Sequence, residues 1–263
     1  MLSIINPTTF GAGLAFALFV GILAFLAIGR WLGRSIMARH HVDVLPSVGS
    51  LETAVFALLG LLIAFSFSGA LQRFDIRRAQ VVDEANAIGT AWLRIDMLPA
   101  ATQPKLRDAF RAYVDSRIAT YDKLPDIEAA RGEVAHSQAL QQDIWAQTIA
   151  AMHLPDAGPG VAVAVLPAQN AMFDIMGVRL AATQMHPPPV IYTMLLVLAL
   201  ASALIAGYQA AGERTFDWVH GLAFAAVVAL TLFVILDLEY PRLGFIRIDA
   251  IDELLVNVRA GMN

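Results

Sequence analysis

Four blocks of this sequence, each long enough for a membrane crossing, carry almost no charge, and they constrain the chain more than any other feature. A bilayer's hydrocarbon core takes roughly 20 residues of helix to cross. The first uncharged run extends from Met1 to Gly29; its membrane part is predicted from Thr9 to Trp31, with Arg30 and Arg34 as the stop. It lacks a basic leader, so it reads as a retained helix and not as a cleaved signal peptide. The second runs from Thr53 to Gln72, between Glu52 and Arg73. The third follows Pro187, Pro188 and Pro189 and continues to Tyr208, with Tyr192 and Tyr208 suited to the two interfacial belts. The fourth runs from Trp218 to Leu236, interrupted only by His220 and stopped by Asp237.

Backbone amides in lipid must bond within their own segment, so these blocks are predicted helices, and no alternating pattern of a lipid-facing barrel appears. Composition agrees with a membrane protein: 58% of residues are hydrophobic and 15% charged. The absence of cysteine excludes disulfides, thiolate metal sites and a cysteine nucleophile. A net charge of -4 with no polybasic run excludes nucleic acid as a partner.

Between the second and third blocks, Arg73 to His186 has ordinary soluble composition with helical spacing. Val81, Ala85, Ile88, Trp92 and Ile95 form one apolar stripe that continues from the second membrane helix without a break, which predicts a single long helix ending at Pro99. A second helix is expected from Gln103 and Pro104, carrying Leu106, Phe110, Tyr113, Val114 and Tyr121. A third is expected over 126–152, with Leu140, Ile144, Trp145 and Ile149 on its apolar face, and a fourth over 161–185 with a possible kink at Pro167. The expected fold is therefore all-α and polytopic: residues 1–72 hold two membrane helices, 73–186 an inserted helical domain, 187–236 two more membrane helices, and 237–263 a segment packing on that domain.

No side-chain constellation points to catalysis. The histidines, His40, His41, His136, His153, His186 and His220, have no partner at metal-ligand spacing on a helix face. There is no phosphate loop, nucleophile elbow or zinc-protease motif, so an enzyme, a metal and a cofactor are all unexpected. Charges are more informative where the second helix leaves the membrane: Arg73, Asp75, Arg77, Arg78, Asp83 and Glu84. They read either as a solvated face, with Asp75 pairing to Arg78, or as the lining of a channel vestibule. Asp237 and Glu239 end the fourth helix before Pro241; they read as partners of Arg73, Arg77 or Arg242, or as cation-attracting groups. Ala57, Leu61, Phe65 and Ser68 share one face of the second helix, as a pore lining or as an ordinary packing face.

The run from Leu58 to Ser68, then Ala70-Leu71-Gln72-Arg73-Phe74, Glu84-Ala85-Asn86-Ala87-Ile88-Gly89-Thr90 and the tail from Asp237 to Arg247 resembles the bestrophin-like family of bacterial membrane proteins. More distantly it is similar to the bestrophin anion channels, whose second helix exits through an aromatic, an arginine, two asparagines and a Tyr-Asp-Arg-Trp run. Here Phe65 and Arg73 match outright, Phe74 is an aromatic replacement, and the asparagine pair is absent. The resemblance implies a bacterial inner-membrane protein with five subunits around one pore, the second helix at the axis, and inorganic ions as cargo. Aligning Arg73 with the family's exit arginine places Ala57, Leu61 and Phe65 at the hydrophobic neck. The functional expectation is a homo-oligomeric channel, the alternative a nonconducting scaffold or sensor whose helical domain binds a partner. Arg73, Arg77, Arg78, Arg179, Arg242 and Arg247 flank the membrane on the domain side, against Arg34, Arg39 and Arg214 opposite, which favours a cytosolic domain.

Overall fold

A computed structural model describes residues 7–41, 49–213 and 217–262. Every regular element among them is helical: α1 (Pro7–His40), α2 (Gly49–Leu93), a 3-10 turn (Arg94–Met97), α3 (Gln103–Asp122), α4 (Ile127–Met152), α5 (Val161–Ala182), α6 (Pro189–Gln209), a second 3-10 turn (Ala210–Gly212), α7 (Trp218–Glu239) and α8 (Asp249–Ala260). The chain divides into two compact units. Unit 1 comprises 1–73 and 186–245; unit 2 comprises 74–185 and 246–263. Helix α2 contributes to both without a break at Arg73. Five helices, α1, α2, α5, α6 and α7, are long and apolar enough to cross a membrane. The additional one relative to the sequence reading is α5, whose run is interrupted by Gln169, Asn170 and Asp174.

Unit 1 is built on α1 packed against α6 and α7. Leu18, Ile22 and Leu26 of α1 meet Leu195, Ala199 and Ala203 of α6 and Ala225, Val228 and Leu232 of α7. Small residues recur on α6 at four-residue steps, Ala199, Ala203 and Gly207, all buried. In lipid there is little hydrophobic gain from joining two helices, so close backbone approach supplies the contact. The approach is extreme at one crossing, where a Cβ on Gly29 would strike the Leu204 carbonyl and one on Gly207 the Leu26 carbonyl. Helix α1 extends well beyond Trp31, to His40, because Arg30 and Arg34 find carbonyl acceptors: Arg30 donates to Glu213 (2.9 Å), and Arg34 to Ala211 (3.3 Å) and Glu213 (3.2 Å).

Unit 2 has its own core, in which α3 packs on α4 and α8 docks on α3. Ile88, Trp92 and Ile95 meet Leu106, Phe110, Tyr113 and Val114, with Ile144, Val165, Met172, Met176, Leu255 and Met262 completing it. The predicted stripe on the long helix is buried throughout. The α-helix ends at Leu93, however, and the chain tightens to a 3-10 turn before Leu98 becomes extended (ψ 158°), the conformation a following proline imposes. Asp126 caps α4 by accepting from the Ala129 amide at 3.0 Å. Trp145, expected on the apolar face of α4, is exposed: the buried side of that helix is Ser137, Ile144, Thr148 and Ala151. Tolerance of Ser137 and Thr148 moves the buried face, since Ser137 bonds Ser116 (2.8 Å) and Thr148 accepts from Gln169 (2.6 Å).

Candidate pore helix and charge network

At about 100° per residue, Ala57, Leu61, Phe65 and Ser68 fall within an arc of roughly 80° on α2. All four are exposed within the subunit, Leu61 by 53% and Phe65 by 68%. Leu59 and Ala70, which lie near the opposite side of the helix, are buried. Leu59 joins the core of α1, α6 and α7, Leu62 and Ile63 pack beside it, and Phe56 meets Phe224 edge to face at 5.3 Å. One side of the helix is therefore packed within unit 1, while the side carrying the four sequence-selected residues is exposed among the described residues.

At the base of this apolar stretch, Arg73 grips Glu239 with its Nε and Nη2 groups, the Nε contacts being 2.9 and 3.2 Å. The Glu239 side chain is 1% exposed. His186 approaches the same carboxylate at 3.4 Å and stacks on Tyr240, ring centres 4.8 Å apart. Asp237 accepts from the Phe245 amide at 2.9 Å and lies so close to Gly244 that a Cβ there would strike the carboxylate. It thus holds the turn from Tyr240 to Phe245 against the end of α7.

The other five sequence-selected charges belong to unit 2, where Asp75 and Arg78 lie 3.6 Å apart on the exposed side of α2. Arg77 donates to the Ala182 carbonyl at the end of α5 at 3.2 Å and to the Met185 carbonyl just beyond it at 3.1 Å, which ties α2 to this turn. Asp83 is exposed. Glu84 is fully buried between two arginines: Arg117 donates from Nε at 2.6 Å and Nη2 at 3.4 Å, and Arg179 donates from Nη1. Burial alone would raise the Glu84 carboxyl, but the two guanidiniums outweigh it and hold it below the usual carboxylate range. Arg117 also donates to the Tyr121 hydroxyl at 2.8 Å, and Arg179 lies over the Tyr121 ring at 4.4 Å and 3.8 Å from Asp252 of α8. Of the eight charges selected from sequence, Arg73 meets Glu239 in unit 1 and Asp75 meets Arg78 in unit 2, while Glu84 meets partners the sequence reading did not select. Those partners left a signal nonetheless. Arg117 continues the Phe110, Tyr113, Val114 stripe and Arg179 the Met172, Met176 stripe, so each is a charge on an apolar face.

Among the described residues no group of three His, Asp or Glu is placed to hold a metal ion. What these groups can do is neutralise one another and fasten helix ends, beside an uncovered apolar helix face.

The chain matches the family model of the Bestrophin-like domain over residues 20–251. No curated protein matches it. Its fold is similar to the crystal structure of a bacterial bestrophin homologue from Klebsiella pneumoniae bearing a tyrosine-to-alanine substitution. The TM-score is 0.62 at 11% identity, covering 93% of this chain and 99% of that one. The described chain is all-helical with five apolar helices, an integral membrane protein, and it belongs to the Bestrophin-like family.

Proposed function

We propose that the protein is a homo-oligomeric ion channel of the bacterial inner membrane, a pentamer by family resemblance, with the first part of α2 from each subunit lining the axis. One observation carries the reading: the face bearing Ala57, Leu61, Phe65 and Ser68 is uncovered in the subunit while the helix's other side is fastened to α1, α6 and α7. An apolar face left uncovered by its own chain takes lipid, other copies of the chain or a lumen as its neighbour, and for this face of α2 the family resemblance favours the last two. Leu61 and Phe65 then form an apolar constriction, which controls ion passage by dewetting.

Four segments cross the bilayer in this reading: α1, residues 53–72 of α2, α6 and α7. Helix α5 stays out because it buries Gln169 and Arg179 in the core of unit 2 and shares that core with α3 and α4. The domain of residues 73–186 and the segment after Asp237 lie on the cytosolic side, supported by the greater number of arginines flanking the membrane there. Arg73 and Glu239 cancel each other at the mouth of the neck, and exposed Asp83 faces the vestibule. The partners are lipid, copies of the chain and inorganic ions.

Reconstitution into liposomes with an ion-flux readout, alongside native mass spectrometry, tests this. Phe65→Ala should raise flux in an oligomer of unchanged size. A correct oligomer that passes no ions would favour the scaffold reading, and unchanged flux in Phe65→Ala would remove the neck.

A further inference from the structure

Within unit 2, between the last turns of α2 and the middle of α5, lies an open cavity of about 370 Å³. Asn86, Thr90 and Arg94 line one wall at four-residue steps, which aligns an amide, a hydroxyl and a guanidinium along one side. The rest of the lining is apolar, from Pro167, Ala168 and Ala171 with Ala87 beside them.

Arg94 sets the chemistry. Its Nη1 donates to the Ala164 carbonyl of α5, which anchors the guanidinium beside the cavity. No carboxylate among the described residues pairs with it, and its Nε and Nη2 groups have no protein partner there. Those two N–H groups form the edge that grips a carboxylate with two parallel bonds. Other arginines of this protein use the same edge in that way: Arg73 on Glu239, Arg117 on Glu84, and Arg259 on Asp115, the last at 2.7 and 3.1 Å. Among the described residues, Arg94 combines a place in the lining of a cavity with one arm fixed to a carbonyl and an Nε and Nη2 edge that no protein group takes.

We propose that this cavity binds a small organic carboxylate. The Nε and Nη2 edge of Arg94 takes the carboxylate, Pro167, Ala168 and Ala171 take its alkyl part, and Thr90 and Asn86 take a hydroxyl or carbonyl substituent. The cavity, about 370 Å³ and open, has room for a small carboxylate together with its alkyl part, and its apolar wall gives the alkyl part a surface that a bare inorganic anion would not use. The inference does not rest on conduction; a nonconducting protein would hold the same site.

Calorimetric titration of the full chain in detergent with butyrate, 3-hydroxybutyrate and succinate tests it, with chloride at matched ionic strength as the control. At least one carboxylate should bind saturably with one site per chain, weakening at least tenfold in both Arg94→Lys and Arg94→Gln. Lysine keeps the charge but loses the two-pronged edge, so its failure isolates the geometry. Because Arg94 also contacts Ala164, Ala171→Leu provides a second variant that fills the cavity from the opposite wall and should abolish binding without touching the guanidinium. Absence of saturable binding by all three probes, equal displacement by chloride, or full binding in Arg94→Lys or in Ala171→Leu would overturn the proposal.

Discussion

Replacing Glu84 by glutamine keeps the shape of the side chain and removes one negative charge from between two buried arginines. Arg117 is 0% exposed and Glu84 is its carboxylate partner among the described residues, so the substitution leaves that guanidinium charged and dry, with neutral acceptors alone: the amide oxygen of the glutamine and the Tyr121 hydroxyl. Arg179 keeps the longer 3.8 Å contact to Asp252. Breaking a buried pair from one side typically costs about 3–5 kcal/mol, because the surviving charge has lost its solvent and gained nothing. At roughly 2–4 °C per kcal/mol for a chain of this size, Glu84→Gln should lower the melting temperature by on the order of 6–20 °C. The assay is thermal unfolding of the detergent-solubilised chain, followed by tryptophan fluorescence, to which Trp92 contributes from the same core. The double variant with Arg117→Met should recover part of the loss, a coupling of about 0.5–3 kcal/mol. The pH dependence has a definite sign. The folded Glu84 pKa lies below its unfolded value, so its contribution is complete above about pH 4.3 and is lost as pH falls through the folded pKa. The gap between parent and variant should therefore narrow in acid. A variant that melts with the parent at neutral pH, or a gap that widens on acidification, would refute the reasoning.

Trp92→Ala should cost about 3–5 kcal/mol, since the ring is 8% exposed, packs on Phe110 and lies beneath the guanidiniums of Arg107 and Arg111; the same thermal assay reads it. Gly207→Leu should separate α1 from α6, because no side chain fits against the Leu26 carbonyl; lower yield of folded protein and loss of a crosslink engineered between the two helices would register it, and a normal melt would contradict the crossing. Glu239→Gln should destabilise unit 1 by about 1.5–3 kcal/mol through loss of charge-assisted bonds from Arg73, measured as a lower melting temperature, whereas Asp83→Asn, on an exposed residue, should leave it unchanged.

The helical class and most helix positions were legible because apolar residues set them directly. Proline at Pro104 and the Pro187–Pro189 run marked helix starts, and the Val81 to Ile95 stripe marked a core face that is buried. Trp145 misled because size was taken for burial, while the true face of α4 uses Ser137 and Thr148, small polar groups whose bonds come from elements distant in sequence. The same long-range pairing hid the partners of Glu84. A buried arginine is intelligible only once its carboxylate is known, and Arg117 and Arg179 lie 33 and 95 residues from Glu84. Charges on apolar stripes were visible; which stripe answered which was not. For the α2 face, spacing identified four residues that share a side, and burial now adds that this side is exposed in the single chain.

Helix α8 also sets an order of events during synthesis. Leu255 and Met262 are buried in the core of unit 2, yet the other core residues of that unit are complete by Met185. At about 5–20 residues per second, the ribosome takes roughly 4–14 s to travel from Met185 to Leu255. During that interval α6 and α7 are made while the core of unit 2 still lacks Leu255 and Met262. Unit 2 therefore completes its core only after α6 and α7 have been synthesised, because Leu255 and Met262 are the last of its buried residues to be made.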